Sequence, residues 1–144
     1  RLVNYVSNTL SRVENTDKDD ATLYGDIAMW NDYLGLWEPS DDIPKHMIRT
    51  CEKANGMPLL VSEFGLCEPQ FKGGDKERAR ILEERLALYK KIHNICGYMW
   101  FSLNDYRTHC GEAGKDKMRQ RVHGSTDLYG NKKPSYELLR KLQK

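Results

Sequence analysis

Three stretches of the chain end in polar side chains beside an aromatic residue, and these residue types could do chemistry. They are Asn31 with Tyr33, Glu63 with Phe64, and Asn104–Asp105 with Tyr106. Each stretch follows a short apolar run of the kind that forms a buried strand. A carboxylate next to a buried strand is costly unless it has partners or opens on a cleft. Glu63 is therefore either paired within the structure or a catalytic carboxylate.

The run that leads into Glu63 predicts a strand over residues 58–63 that is buried on both faces. Gly56 stands before this run and Gly65 follows it. Pro58 suits the first position of a strand, where the missing N–H costs least. Strands buried on both faces are typical of parallel sheets, whose ligands bind at the carboxyl ends of the strands. This edge is where we expect Glu63.

Strands and helices alternate along the predicted chain. Strands are expected at 2–7, 26–31, 58–63 and 97–102. Helices are expected from a cap at Ser40 or Asp41 to a stop at Asn55–Gly56, from Asp75 to about Asn94, and from Pro134 onward, with a long loop over 108–131. Such alternation indicates βαβ units and a parallel sheet. A polar rim shared by three strand ends favours a (β/α)₈ barrel. Because a complete barrel needs roughly 250 residues, the 144 residues, taken as one segment 1–144, would form about four βα units, half of a barrel.

The predicted helices each have one apolar face. The first face joins Ile43, Met47, Ile48 and Cys51; the second joins Ala79, Leu82, Leu86 and Tyr89. The remaining charged residues of the long helix, which include Arg78 and Arg85, are expected on a solvated face.

Composition excludes several classes of function. A net charge of +2 gives no reason to expect a nucleic acid or an acidic membrane surface as partner. No apolar run approaches the ~18 residues of a membrane span. The four cysteines form no C-x-x-C pair and are expected as buried free thiols, and the four histidines are scattered, so we expect no metal and no cofactor. Because the chain opens inside a predicted strand, we expect it to begin within a domain, and it indicates no compartment.

Several segments together resemble glycoside hydrolase family 2, the beta-galactosidase and beta-glucuronidase family. The segments are Pro58–Gly65, which resembles the nucleophile strand; Asp26–Tyr33, which resembles the sixth barrel strand; Gly97–Thr108, which resembles the eighth; and His123-Gly124 with Gly130-x-x-Lys133-Pro134, which resembles the approach to the final helix. They stand in the family's order and cover nearly the whole chain.

This resemblance implies the C-terminal half of the catalytic barrel of a retaining, exo-acting beta-glycosidase. Glu63 would be the nucleophile that forms a glycosyl-enzyme, and a second carboxyl roughly 5–5.5 Å away would act as acid and base. In the family that second residue follows an Asn, and no Asn-Glu pair occurs in this chain. The acid/base is therefore expected upstream of Arg1, and the isolated chain is expected to be inactive.

The resemblance also implies partners. The substrate would be a beta-galactoside or a related glycoside, and the sequence does not separate galactoside, glucuronide and mannoside. The other partners would be the missing N-terminal half of the barrel and accessory beta domains. Half a barrel has open strand edges, so self-association is a further expectation.

Other site residues have two interpretations each. Tyr33 could hold the nucleophile by a hydrogen bond or be an ordinary rim tyrosine, and Asn31 could contact sugar hydroxyls or Tyr33. Trp100 could form the apolar floor under the sugar or be a core residue. Asn104 could contact substrate, or Asn104, Asp105 and Arg107 could satisfy one another. The weaker candidates are Trp37 and Lys133 for sugar contact, and Glu38 and Glu68 as rival carboxylates, since each of these Glu residues precedes a Pro in a loop.

Two other functions stay open from the sequence. A barrel of this shape could bind sugar, or serve as a scaffold, without turnover. A doubly wound nucleotide-binding domain would also alternate strands and helices, but no Gly-x-Gly-x-x-Gly or phosphate loop supports it.

Overall fold

The computed structural model describes residues 1–12, 20–66, 73–107 and 120–142. The strands are β1 (Val6–Ser7), β2 (Ala28–Asp32), β3 (Leu59–Phe64), β4 (Ile95–Trp100), β5 (Tyr106–Arg107) and β6 (Gln120–Arg121). The α-helices are α1 (Ile43–Glu52), α2 (Gly74–Tyr89) and α3 (Pro134–Leu142), and a 3₁₀ turn covers Ala21–Tyr24. Within these ranges no helix has the length and apolar character needed to cross a membrane.

The main sheet has the strand order β1-β2-β3-β4. β1 pairs with β2, and β2 with β3, in parallel. The predicted parallel sheet and the predicted order of its elements are therefore confirmed, and the chain is a mixed α/β protein. A separate two-stranded antiparallel sheet joins β5 to β6.

The first strand is shorter than predicted, because a side chain interrupts its pairing with β2. Thr22 Oγ1 donates to the carbonyl of Tyr5 at 2.6 Å and accepts the amide of Met29 at 2.7 Å. This hydroxyl therefore stands where a direct bond between the two strands would otherwise lie. Further out, Val3 exchanges hydrogen bonds with Asp26, whose carboxylate accepts the Val3 amide at 2.7 Å. Ladder pairing consequently begins only at Val6.

Helix α1 begins one or two residues later than predicted. Asp42 is the N-cap, since its carboxylate accepts the amide of Lys45 at 3.0 Å, and Pro44 occupies the first turn as expected. Of the predicted apolar face, Met47 and Cys51 are buried, whereas Ile48 is 44% exposed.

The chain divides into two compact units. The first comprises Arg1–Phe64 and Ala87–Met99; the second comprises Gly65–Leu86 and Trp100–Lys144. The first unit contains the parallel strands and buries the largest apolar side chains around them. Phe64 meets the ring of Tyr89 edge-on at 5.3 Å, and Tyr89 donates its hydroxyl to Asp32 at 2.6 Å. The side of β2 that carries Asp32 therefore faces the end of helix α2.

Arg78 in the second unit is buried, although its helix face was predicted to be solvated. Its side chain is 0% exposed, and its Nη atoms donate to the carbonyls of Val122, His123 and Gly124. It also pairs with Asp75 at 3.3 Å. A guanidinium has five fixed donors, so several backbone acceptors can satisfy it inside a protein. Arg85 is also buried, at 6% exposure, against the same prediction.

Asp105 forms an ion pair with Lys133. Asp105, which is 5% exposed, accepts from Lys133 Nζ at 2.9 Å and from the amide of Gly124 at 2.8 Å. Lys133 is therefore partnered rather than a free surface lysine. A Cβ at Gly124 would lie 2.0 Å from the amide nitrogen of Asp105, so only glycine fits there.

Strand β4 differs most from its prediction as a buried strand. It covers Ile95–Trp100 rather than 97–102 and lies at the end of the strand order, with Tyr98 and Met99 exposed by 40% and 48%. A strand at the end of a sheet has a neighbour on one side only, so more of its surface reaches solvent. Cys96 is accordingly exposed, contrary to expectation, whereas Cys51 is a buried free thiol as predicted.

Other boundaries also shift. Helix α2 ends at Tyr89 rather than near Asn94, and the following residues continue as single turns. The predicted loop over 108–131 contains β6, which pairs with β5. Helix α3 begins at Pro134 as expected. Cys67, Glu68 and Cys110 lie outside the described residues.

Candidate active site

A β-bulge sets the direction of the predicted nucleophile. Trp30 of β2 pairs with Val61 of β3, but the next residue, Asn31, pairs with Glu63, so Ser62 is the extra residue. A bulge of this kind opposes two residues of one strand to one residue of its partner and can re-aim a side chain. Side chains otherwise alternate between the two faces of a sheet. The bulge therefore lets two consecutive residues, Ser62 and Glu63, meet side chains from the same face of β2.

Glu63 accepts a hydrogen bond from Tyr33, as one of the two interpretations of Tyr33 predicts. Tyr33 Oη donates to Glu63 Oε2 at 2.8 Å. Tyr33 follows the carboxyl end of β2 and is 8% exposed, while Glu63 is half-buried. The hydrogen bond from the Tyr33 phenol therefore holds one of the two carboxylate oxygens of Glu63 in place.

Asn31 bridges the ends of three parallel strands. Ser62 Oγ donates to Asn31 Oδ1 at 2.7 Å, and Asn31 Nδ2 donates to Asn8 Oδ1 at 2.8 Å. Asn31 is 7% exposed, whereas Asn8 is exposed. Asn8 and Ser62 were not predicted as site residues. Polar residues where a predicted strand ends are the pattern that identified Asn31, and at the end of the first strand the same pattern falls on Ser7 and Asn8.

A buried carboxylate holds the turn that carries Asn8. Asp20 accepts hydroxyl hydrogen bonds from Ser7 and Thr9, each at 2.6 Å, and Ser7 Oγ accepts the amide of Leu10 at 2.8 Å. Burial raises the pKa of Asp20, but the hydrogen bonds from Ser7, Thr9 and the Thr22 amide outweigh it, so the net pKa is lowered. The charged form of Asp20 therefore stabilises this turn.

The loop after β2 places an aromatic ring on Tyr33. Trp37 stacks on Tyr33 with ring centroids 4.4 Å apart, and Trp37 itself is 44% exposed. The amides of Leu36, Trp37 and Glu38 all donate to the carbonyl of Tyr33, which closes the loop into a compact turn. Trp37 is therefore an exposed aromatic surface next to the Tyr33–Glu63 pair.

The rival carboxylate Glu38 has a structural partner. Ser11 Oγ donates to Glu38 Oε2, and the Ser11 carbonyl contacts His46 Nε2 at 2.7 Å. Burial raises the pKa of Glu38; the hydrogen bond from Ser11 opposes this rise, and the negative charge of Asp32 adds to it. Glu38 thus links the loop after β2 to the loop after β1.

The other predicted site residues, Trp100 and Asn104, belong to the second compact unit. The guanidinium carbon of Arg78 lies 5.5 Å from the centroid of the Trp100 ring, a cation–π distance. Asn104 is exposed, its backbone forms a bridge with Thr126, and its carbonyl accepts from Ser102 Oγ at 2.9 Å. The structure thus brings together Glu63, Tyr33 and Asn31 in the first unit.

Metal chemistry has no visible support within the described part of the chain. There, no group of three or more His, Cys, Asp or Glu side chains is arranged to hold a metal ion. The side-chain groups described at the site are a carboxylate, a phenol, a hydroxyl and two amides.

Comparison with solved structures identifies the fold. A family 2 beta-galacturonidase from Eisenbergiella tayi superposes with a TM-score of 0.78 at 17% identity, covering 98% of this chain and 26% of that one. A beta-D-glucuronidase from Dictyoglomus thermophilum gives 0.78 at 15% identity, covering 99% and 25%. A Ruminococcus gnavus beta-glucuronidase in complex with D-glucuronic acid gives 0.77 at 14% identity, covering 100% and 26%. The chain shares its fold with part of the family 2 glycoside hydrolases.

The resemblance to glycoside hydrolase family 2 inferred from the sequence is therefore confirmed at the level of fold. The chain spans about a quarter of the length of these family 2 structures. No family model matches the sequence, and no curated protein matches it. The similarity is consequently carried by the three-dimensional arrangement.

Proposed function

We propose that this chain is part of the catalytic domain of a retaining, exo-acting beta-glycosidase, and that it forms the C-terminal half of a (β/α)₈ barrel. The observation that carries the proposal is the Tyr33–Glu63 hydrogen bond of 2.8 Å at the carboxyl edge of a parallel sheet. Strand ends at that edge form the active site in barrels of this type. The fold shared with beta-glucuronidases and a beta-galacturonidase supports the same conclusion.

In this proposal Glu63 attacks the anomeric carbon. Because Oε2 is held by Tyr33, we assign the attack to Oε1. The bond from the anomeric carbon to the leaving oxygen breaks as the ester to Glu63 forms, and water later hydrolyses that ester. Tyr33 orients the carboxylate of Glu63 during both steps. This orientation lowers the part of the activation free energy that is otherwise needed to align the carboxylate with the anomeric carbon.

The other predicted residues have supporting roles. Asn31 holds the strand ends around Glu63 through its bonds to Ser62 and Asn8. We propose Trp100 as the apolar floor under the sugar ring and Asn104 as a contact to sugar hydroxyls. An indole face suits the C–H surface of a pyranose, and an exposed amide suits its hydroxyls.

The second carboxyl of the retaining pair would come from outside these residues. The chain has no Asn-Glu pair, and Glu38 is already bonded to Ser11. We therefore propose that a complete enzyme supplies the acid/base from the N-terminal half of the barrel. The substrate would be a beta-galactoside or a related glycoside, with beta-glucuronides included because the similar structures are named for uronic acids.

Covalent labelling of the complete enzyme tests this proposal. A 2-fluoro glycoside inactivator should attach to Glu63, and peptide mass spectrometry would locate it. Glu63→Gln should abolish turnover, whereas Glu38→Gln, a matched change of a carboxylate on a neighbouring loop, should leave most of the activity. Labelling at Glu38, or an active Glu63→Gln enzyme, would show that Glu63 is not the nucleophile. A complete enzyme that binds sugars but shows no turnover with any of these glycosides would favour the non-catalytic alternative.

A further inference from the structure

The hydrogen bonds around Asn31 have a direction. Ser62 donates to the oxygen of the Asn31 amide, and the nitrogen of that amide donates to Asn8 Oδ1. The oxygen of the Asn8 amide is thereby engaged within the protein. Because an amide has one acceptor end and one donor end, the group left at the exposed end of this series is the NH₂ of Asn8.

The position of Asn8 places that NH₂ at the edge where Glu63 lies. Ser7 pairs with Trp30 and Asn31 pairs with Glu63, so Asn8 follows β1 at the level of Asn31 and Glu63. The Asn8–Asn31 hydrogen bond places both side chains on one face, and the bulge brings Ser62 and Glu63 to meet that face. The turn that carries Asn8 is held by Asp20 through Ser7 and Thr9.

We propose that Asn8 is a further substrate-contacting residue, whose NH₂ donates to an oxygen on the sugar. This inference rests on the proposed glycosidase function and deepens it. Asn31 is 7% exposed and its side chain bonds both Ser62 and Asn8, so Asn8 is the member of the series that meets a ligand. The acceptor is either a ring hydroxyl or the carboxylate of a uronic acid, since both present oxygen lone pairs to an amide donor.

The variant Asn8→Asp separates the donor role from the structural one. Aspartate keeps the side-chain shape and still accepts from Asn31, but it replaces the outward NH₂ by an oxygen. Asn8→Ala removes both ends. Because Asn8 is exposed, neither variant creates a buried cavity. Asn55→Asp is a matched control: it makes the same change at an exposed residue whose φ of +50° aspartate also tolerates.

The experiment is a titration of the complete enzyme, isotope-labelled at its asparagines and its backbone amides, with D-glucuronic acid, and separately with D-glucose, followed by NMR. The side-chain NH₂ resonances of Asn8 should shift together with the amides near Glu63. The apparent Kd should rise by about threefold to tenfold in Asn8→Ala, the size expected for one hydrogen bond, and remain at the parent value in Asn55→Asp. Asn8→Asp should leave the affinity for both sugars near the parent value if the partner is a hydroxyl, because a hydroxyl can turn and donate to the aspartate. It should weaken the uronic acid alone, by about tenfold or more, if the partner is a carboxylate.

The outcomes of this titration test the role of Asn8 and the glycosidase proposal separately. Shifts near Glu63 with an unmoved Asn8 NH₂, and parent affinity in both Asn8 variants, would overturn the role of Asn8 and leave the glycosidase proposal standing. Binding of neither sugar anywhere near Glu63 would overturn both.

Discussion

Replacing Arg78 by Met should destabilise the protein far more than the same replacement of Arg80, an exposed arginine on the same helix. Arg78 is 0% exposed, donates to three backbone carbonyls and pairs with Asp75. Met has a similar length but no donor, so the three carbonyls and Asp75 would each lose a partner. Removing one member of a buried ion pair costs roughly 3–5 kcal/mol. For a chain of this size that loss corresponds to a Tm lower by roughly 10–20 °C.

Arg80→Met is the matched control on the same helix. Arg80 also makes two ion pairs, with Glu77 and Glu84, but its side chain is 52% exposed. Solvent screening limits such pairs, so the loss should stay below about 1 kcal/mol. Arg78→Lys should lie between the two, because one ammonium keeps the charge but cannot reach all three carbonyls.

Urea unfolding followed by far-UV circular dichroism measures the three variants. The unfolding free energy should be highest in Arg80→Met, lower in Arg78→Lys and lowest in Arg78→Met. If Arg78→Met lost no more than Arg80→Met, the argument that buried backbone acceptors depend on this guanidinium would be refuted.

Three other predictions concern carboxylates and the site. Burial raises the pKa of Glu38 above its ordinary value of 4.5, so the folded protein keeps the proton on Glu38 to higher pH than the unfolded chain does. The protonated Glu38 therefore stabilises the fold below pH 4.5, and this stabilisation is lost as pH rises through the folded-state pKa. Glu38→Gln, which stays neutral and can still accept from Ser11, should therefore gain stability relative to the parent between pH 4 and 8 in urea unfolding, whereas exposed Glu83→Gln should show no such trend; equal pH profiles would contradict this. In the complete enzyme, Tyr33→Phe keeps a ring to stack on Trp37 but loses the hydrogen bond to a carboxylate, about 1.5–3 kcal/mol, so kcat/KM should fall about 10- to 150-fold; a change below twofold would contradict the role of Tyr33. The isolated chain should release no nitrophenol from a beta-galactoside or a beta-glucuronide, and hydrolysis that disappears with Glu63→Gln would show that a second carboxyl within these residues can act as the acid.

The strand order and the Tyr33–Glu63 pair were predictable because both depend on local pattern. Apolar runs that end in polar residues set the strands, and parallel pairing brings their carboxyl ends to one edge. Asn31 and Tyr33 are two residues apart where one strand ends, so alternation continued just past the strand puts them on the same face.

Arg78 shows what local pattern cannot provide. Its neighbours on α2 are charged, and from the sequence it is indistinguishable from Arg80. What differs is the segment Val122–Gly124, more than forty residues later, whose carbonyls satisfy its guanidinium. Thr22 is a similar case, because its hydroxyl shortens β1 from a position between the first two predicted strands. Strand β4 is half-exposed because it lies at the end of the sheet. The position of a strand in a sheet depends on where the other strands lie, so no single stretch of sequence indicates it.

The extra residue at Ser62 makes the direction of Glu63 a matter of counting along the chain. Substituting a neighbouring residue leaves the number of residues in β3 unchanged, so it leaves the carboxylate on its face of the sheet. Deleting Ser62 would remove the bulge but leave Glu63 opposite Asn31. Keeping Ser62 in regular pairing with Asn31 would instead place Glu63 opposite Asp32 and, by alternation, turn the carboxylate toward the face where Asp32 meets Tyr89. A lineage carrying this site can therefore lose the codon for Ser62, and with it the hydrogen bond to Asn31, and still keep Glu63 on the same face. A change that lets Ser62 pair regularly would turn Glu63 away without touching the codon for Glu63 itself.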